Sequence, residues 1–300
     1  MSEPVRVIMW GVPRSRSSII AKCMDGVPDS KILFQLYSPP FRAGLGEFAP
    51  SRKNPSSGTL KDALEEPESS GFAEENSTYP WVKKQMEASY PGKRFIFAKE
   101  FAYTVEDKFE YIPKGYRHIF LIREPAKVFQ SMKRVLPDIS AMRGQPIQGT
   151  GGGEFHLDKQ PAVFLGHNWT FKEAVILYEY LQENNLESDP IIVDSDELVN
   201  DPAAVLSRLF EKLGVPYHDS ILKWEKGTDV TERWVISKDF KNRVSTGLTY
   251  KDFRDSTEFF KQKAEAGAPL TGARLPEDVQ RCVDFSMPYY LKLYQKRLTV

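Results

Sequence analysis

The chain has 300 residues, and its 41 Lys and Arg are balanced by 41 Asp and Glu, so the formal net charge is zero. That length suits one large α/β domain or two small ones, and 41% hydrophobic content is enough for a core. A neutral total argues against a general nucleic-acid binder, which carries a basic excess, but leaves room for a local basic pocket. The two cysteines, Cys23 and Cys282, fall inside apolar helical patterns and suggest neither a disulfide framework nor a metal site. Met1-Ser2-Glu3-Pro4 lacks signal-peptide character, and no apolar run is long enough to span a bilayer. The sequons at Asn76 and Asn168 then read as chance matches, and the expectation is a reduced, soluble, cytoplasmic protein that binds no membrane.

In chain order, Val5 to Trp10 reads as a strand. Gly11 to Ser18 is a turn, and a helix begins near Ser17 and continues through Cys23. Lys31 to Tyr37 reads as a second strand, ended by Pro39-Pro40. Phe41 to Gly92 is rich in Pro, Gly, Ser and Glu, with short helical pieces around Thr59 to Glu66 and Pro80 to Ser89. Arg94 to Ala98 and Arg117 to Ile122 read as buried strands, and Pro125 to Val135 as a helix with proline in its first turn. Pro137 to Gly166, with Gly149, Gly151, Gly152 and Gly153, reads as a second flexible region. A helix over Trp169 to Asn184, a strand over Pro190 to Val193, a helix from Asp201-Pro202 to Leu213 closed by Gly214, and a last helix near Pro276 to Arg297 complete the pattern. Strands alternating with helices predict a mainly parallel sheet covered on both faces, with ligands outside the carboxyl ends of the strands. Arg14, Glu100 and Arg123 fall at such ends.

The first turn is the most informative stretch. A strand running into a helix N-terminus offers backbone N–H groups and the positive end of the helix dipole to an anion. Here it adds Arg14, Arg16, Ser15, Ser17 and Ser18, and Arg matches the oxygens of phosphate or sulfate with paired hydrogen bonds. Gly11 is expected to allow the tight turn. Against the nucleotide-binding pattern G-x-x-x-x-G-K-[ST], Gly11 and Ser18 fit, while the second glycine is Arg16 and the lysine is Ser17.

Pro13-Arg14-Ser15-Arg16-Ser17-Ser18 resembles the 5′-phosphosulfate loop of the sulfotransferase superfamily, with Arg16 in place of the usual glycine. Leu121-Ile122-Arg123-Glu124-Pro125 with Ser131 resembles the family's 3′-phosphate signature; Arg123 ends a strand and Ser131 lies about two turns into the next helix. Ile191 to Pro202, followed by Leu213-Gly214-Val215-Pro216, is similar to a family strand–helix passage in which two residues are altered here. Lys241, Arg243 and Ser245-Thr246-Gly247 resemble a nucleotide-closing segment of bacterial-type members, without the family's R-K-G. The likeness covers roughly Val5 to Gly247.

What the resemblance implies is a three-layer α/β/α fold with a mainly parallel sheet, P-loop NTPase-like, as one domain over 1–300 with irregular insertions near 40–92 and 136–166. It implies 3′-phosphoadenosine 5′-phosphosulfate (PAPS) as donor and adenosine 3′,5′-bisphosphate (PAP) as product, with no metal. Donor binding falls to Pro13, Arg14, Ser15, Arg16, Ser17, Ser18, Arg123, Ser131, Lys241, Arg243, Ser245, Thr246 and Gly247. Arg14 stands where the family's loop lysine acts. At the third strand end, Lys99 is the expected leaving-group cation and Glu100 the expected base, with His156 and His167 as alternatives. His118 and His218 read as structural. Phe41, Phe48, Trp81 and Tyr103 are candidates to line a small-molecule acceptor pocket, or core residues. A P-loop kinase and a catalytically silent nucleotide-binding member stay open as alternatives, as does a homodimer.

Overall fold

The computed structural model describes residues 3–46, 70–144, 147, 155–259 and 274–300. The expected helix over Thr59 to Glu66, Phe48, and Gly149, Gly151, Gly152 and Gly153 lie outside them.

In chain order the elements are β1 (Val5–Gly11), α1 (Ser17–Asp25), β2 (Ser30–Phe34), α2 (Ser38–Gly44), α3 (Tyr79–Glu87), β3 (Phe95–Glu100), β4 (Arg117–Ile122) and α4 (Pro125–Arg143). They continue with α5 (Ala162–Leu165), α6 (Phe171–Glu183), β5 (Ile191–Asp194), α7 (Ser195–Asn200), α8 (Pro202–Leu213), α9 (Lys238–Thr246), α10 (Lys251–Asp255) and α11 (Glu277–Tyr294). The strands form one parallel sheet in the order β2-β3-β1-β4-β5. No helix among the described residues is long and apolar enough to cross a membrane.

Helices cover both faces, which is why the strands are almost continuously apolar. Successive strand residues point to opposite faces. Ile8 and Trp10 of β1 pack in the same cluster as Val82 of α3, Phe129 of α4, Leu177 of α6 and Val279 of α11. Val7 and Met9 pack with Ile20 and Met24 of α1, Leu206 of α8 and Phe240 of α9. His118 is buried between the layers and accepts a hydrogen bond from Trp10 Nε1 at 2.9 Å. Burial, with Arg117 nearby, holds its imidazole down at about 3, so it is a neutral packing residue.

Helix boundaries follow local chemistry. Asp194 caps α7 by accepting from Asp196 N and Glu197 N, and Asp201 caps α8 before Pro202. Gly214 closes α8 at φ 67°.

Several boundaries differ from the sequence reading. β2 stops at Phe34, because Gln35 turns the chain at φ 54°. Pro39-Pro40 does more than end a strand: it lies in the first turn of α2, where the missing N–H costs nothing. α4 passes the expected end at Val135 and runs through Pro137 to Arg143, where Gly144 at φ 64° closes it. Trp169 and Thr170 both have positive φ, so α6 starts at Phe171. The two regions expected to be irregular therefore contain α2, the end of α4 and α5, while α3 falls where a helical piece was expected around Pro80 to Ser89.

Candidate functional site

The carboxyl ends of β1 and β4 open onto a cavity of about 130 Å³. One end of it is built by the first turn. Arg14 and Arg16 sit in the left-handed region, at φ 64° and 63°. Non-glycine residues held there within one turn mark a backbone fixed by its surroundings. What fixes it is visible: Arg123 Nη1 donates to Arg14 O at 2.8 Å, and Ser15 Oγ donates to Val12 O at 2.6 Å. Arg16 is the N-cap of α1 without a capping side chain; Ile19 N donates back to Arg16 O at 3.0 Å, and the helix opens at Ser17 and Ser18, which line the cavity with the positive end of its dipole.

The two arginine motifs meet here. Arg14 Nε donates to Ser131 Oγ at 3.1 Å and Arg14 Nη1 to Thr249 O at 3.2 Å. Pro13, Arg14, Arg16, Ser17, Ser18, Arg123 and Ser131 all line the cavity. Arg123 Nε lies 3.4 Å from Asp196 Oδ1, which steadies it from α7. Burial lowers the pKa of Arg14, and the positive charge of Arg123 adds to the effect on both Arg14 and Arg16. These are buried cations that repel one another, a site that gains by taking up an anion.

Residues 249–253 form a wall that the sequence reading missed. Thr249, Tyr250, Asp252 and Phe253 line the cavity. They are tied in by a long-range bond with no local signature, Lys22 Nζ of α1 donating to Phe253 O, and beside them Arg254 Nη1 donates to Val244 O and Gly247 O. Arg243 lines the cavity, lies over the Phe240 ring at 4.7 Å, and is brought down to about 10 by burial. Arg143, Met142, Ile139, Phe164, Phe101 and Tyr103 line it too.

Other expected site residues are placed elsewhere. Ser15 is fully buried and turned inward, so its hydroxyl shapes the loop. Lys241 pairs with Glu232 at 2.7 Å. Ser245 and Thr246 are exposed, and Thr246 Oγ1 returns to Asn242 O. Gly247 is a packing residue: a Cβ there would meet Met142 Sδ at 2.7 Å. Gly11 likewise serves close approach, since its Cβ would lie 3.0 Å from that of Ser17.

Lys99 and Glu100 still belong to β3 and are fully buried. Glu100 faces the β2–α2 turn, where its carboxylate accepts from Leu36 N and Tyr37 N at 2.5 and 3.4 Å. It does not line the cavity, so the expected base holds a turn instead. Burial raises its pKa to about 8. Lys99 points to the opposite face. Its Nζ has no hydrogen-bond partner and lies 3.3 Å from the centroid of Phe101, a ring that does line the cavity. Burial drives its pKa well below that of a free lysine.

His167 pairs with Glu106 at 2.9 Å and His156 is exposed; neither lines the cavity. His156 lies beside Asp158 and Asp278, with ligand atoms within 4.8 Å of one another, a grouping the sequence reading did not see. Both carboxylates are already engaged, Asp158 by Arg281 and Asp278 by Lys133 and Leu157 N. Of the aromatics, Tyr103 lines the cavity, Phe41 stacks edge-on against it, and Trp81 packs on Phe72.

No protein-family model matches the chain. A stretch of 111 residues is 31% identical to Branched-chain-amino-acid aminotransferase-like protein 2 of Arabidopsis thaliana; it is 37% of this chain and spans 15% of that protein's length. Among solved structures, the chain is similar to the sulfotransferase domain from the curacin biosynthetic pathway, with a TM-score of 0.50 and 14% identity over 94% of this chain and 98% of that one. The sulfotransferase domain of the Synechococcus PCC 7002 olefin synthase gives 0.46 at 15% identity, over 95% of each chain. Retinol dehydratase in complex with retinol and PAP gives 0.46 at 12% identity, over 97% of this chain and 82% of that one. The chain has the sulfotransferase fold.

Proposed function

We propose that this protein is a sulfotransferase that moves the sulfuryl group of PAPS to a hydroxyl or amine of a small-molecule acceptor. The observation that carries the reading is the hydrogen bond from Arg14 to Ser131, which joins the two arginine motifs across one cavity at the N-terminus of α1. A nucleotide with two separate phosphate groups suits that arrangement. The start of α1, with Ser17, Ser18 and the flanking Pro13 and Arg16, takes the 5′-phosphosulfate. Arg123 and Ser131 take the 3′-phosphate, and Arg243 closes the nucleotide from the far wall.

Transfer is in line. The acceptor atom attacks sulfur, the bond from sulfur to the bridging oxygen breaks, and PAP leaves with that electron pair while the acceptor's proton passes to a base. Arg14, freed from Ser131 by the incoming phosphate, stabilises charge on the bridging and equatorial oxygens. Lys99 lies one ring behind the cavity, at Phe101. Its burial favours the neutral amine; a bound polyanion favours the ammonium, so donor binding recharges it for the leaving group. The protein works in the cytoplasm as one domain, alone or as a homodimer, with nucleotide and acceptor as its partners and no nucleic acid.

Calorimetric titration with PAP, with ATP and magnesium as control, tests the reading. Tight binding of PAP alone supports it, and a preference for ATP contradicts it. Incubation with labelled PAPS then separates an enzyme from a silent member of the fold: binding with no sulfuryl transfer to any acceptor, water included, contradicts the enzyme.

A further inference from the structure

The cavity has two ends of different chemistry. Arg14, Arg16, Arg123 and Ser131 cluster at the first turn. Arg143 lies on α4 at the other end, twelve residues beyond Ser131, about 18 Å along the helix axis. Its surroundings there are aromatic and apolar. Phe101 and Tyr103 stack at 5.3 Å, and the Arg143 guanidinium lies 5.6 Å from the Phe164 ring. Arg143 Nη1 donates to Val163 O, which fixes the guanidinium against α5. Its charge acts on Tyr103, Tyr250 and Arg243; Tyr250 also feels Arg14, while Arg14 and Arg16 share the influence of Arg123 and Asp252. An arginine held in place beside stacked rings, away from the phosphate turn, suits a planar molecule that carries its own negative charge.

We propose that the acceptor is an aromatic hydroxyl or amine compound bearing an anionic group, and that Arg143 binds that anion while Phe101, Tyr103 and Phe164 hold the ring. The proposal rests on the sulfotransferase reading and narrows its acceptor.

The test uses full-length protein saturated with PAP and titrated with two probes of similar shape, 4-hydroxyphenylacetate and 2-(4-hydroxyphenyl)ethanol. The carboxylate is expected to bind at least about tenfold more tightly to the wild type, since it alone offers Arg143 a charge-assisted hydrogen bond. Arg143→Gln should abolish the preference and leave PAP affinity within about twofold, a readout that also reports an intact fold; Arg143→Lys should keep part of the preference. Equal affinity for the two probes, no binding of either, or loss of PAP binding in Arg143→Gln overturns the proposal alone. Wild-type protein that does not bind PAP overturns the donor reading as well.

Discussion

The ends of β1 and β4 and the end of β3 look alike in sequence: each apolar run stops at charged residues. Their fates in the fold are opposite. Arg14 and Arg123 come after the last residues of their strands, Gly11 and Ile122, and line the cavity. Lys99 and Glu100 are the last two residues of β3 itself, paired with Met9 and Trp10 on β1. A charge beyond a sheet edge is free to meet a ligand, whereas one inside the sheet is committed to a face. Alternation then separates two neighbours: Lys99 goes to the α1 side, behind Phe101, and Glu100 to the β2–α2 turn.

This contrast is open to direct attack. The largest effect belongs to Arg123, which positions the Arg14 carbonyl and faces the proposed 3′-phosphate. Arg123→Ala should weaken PAP binding by about 100-fold, the loss of two charge-assisted hydrogen bonds, while calorimetry on Glu100→Gln gives near wild-type affinity. A smaller but sharper contrast lies within β3. Lys99→Met removes an unpartnered buried amine, so it should melt at or above the wild-type temperature, yet transfer sulfuryl about tenfold to 100-fold more slowly. Glu100→Gln should lose less than about tenfold in turnover, because its carboxylate holds backbone and not substrate. If Glu100→Gln abolishes turnover with the fold intact, the division of the two residues is wrong.

Ser131→Ala should cost about tenfold in PAP affinity, one hydrogen bond to phosphate, with no change in melting temperature. The smallest effect lies away from both regions. His118 is held at about 3 in the folded chain, against about 6.5 when unfolded. Between those values the unfolded chain binds a proton that the folded chain refuses. Its contribution is therefore complete above pH 6.5 and is lost as pH falls toward 3. His118→Asn, which still offers Trp10 an acceptor, should flatten the fall in melting temperature over that window; an unchanged slope would place the acid sensitivity elsewhere.

Much of the scaffold was legible because its signals are local. Apolar runs marked the strands, caps and glycines marked α8, and two short spacings marked Arg14, Arg123 and Ser131. What stayed hidden depends on distance or on where a strand stops. The wall at Thr249, Tyr250 and Asp252 is tied in by bonds from Arg14 and Lys22, more than 200 residues away in sequence. Arg143 was hidden by Pro137, which reads as a helix end yet lies inside α4. Ser15 and Ser17 share one motif and one residue type, but only Ser17 lines the cavity. That Glu100 faces the β2–α2 turn and not the cavity was hidden because a strand's last residue and the one after it cannot be told apart by hydropathy.

The central claim is that the turn before α1 and the end of β4 share one nucleotide. The crystal structure of the protein grown with PAP tests it most directly. The account predicts one phosphate over the start of α1, the other between Arg123 and Ser131, and the Arg14 side chain moved off Ser131 to the 5′ side. PAP bound elsewhere, or Arg14 still bonded to Ser131 with both phosphates outside the cavity, would contradict it.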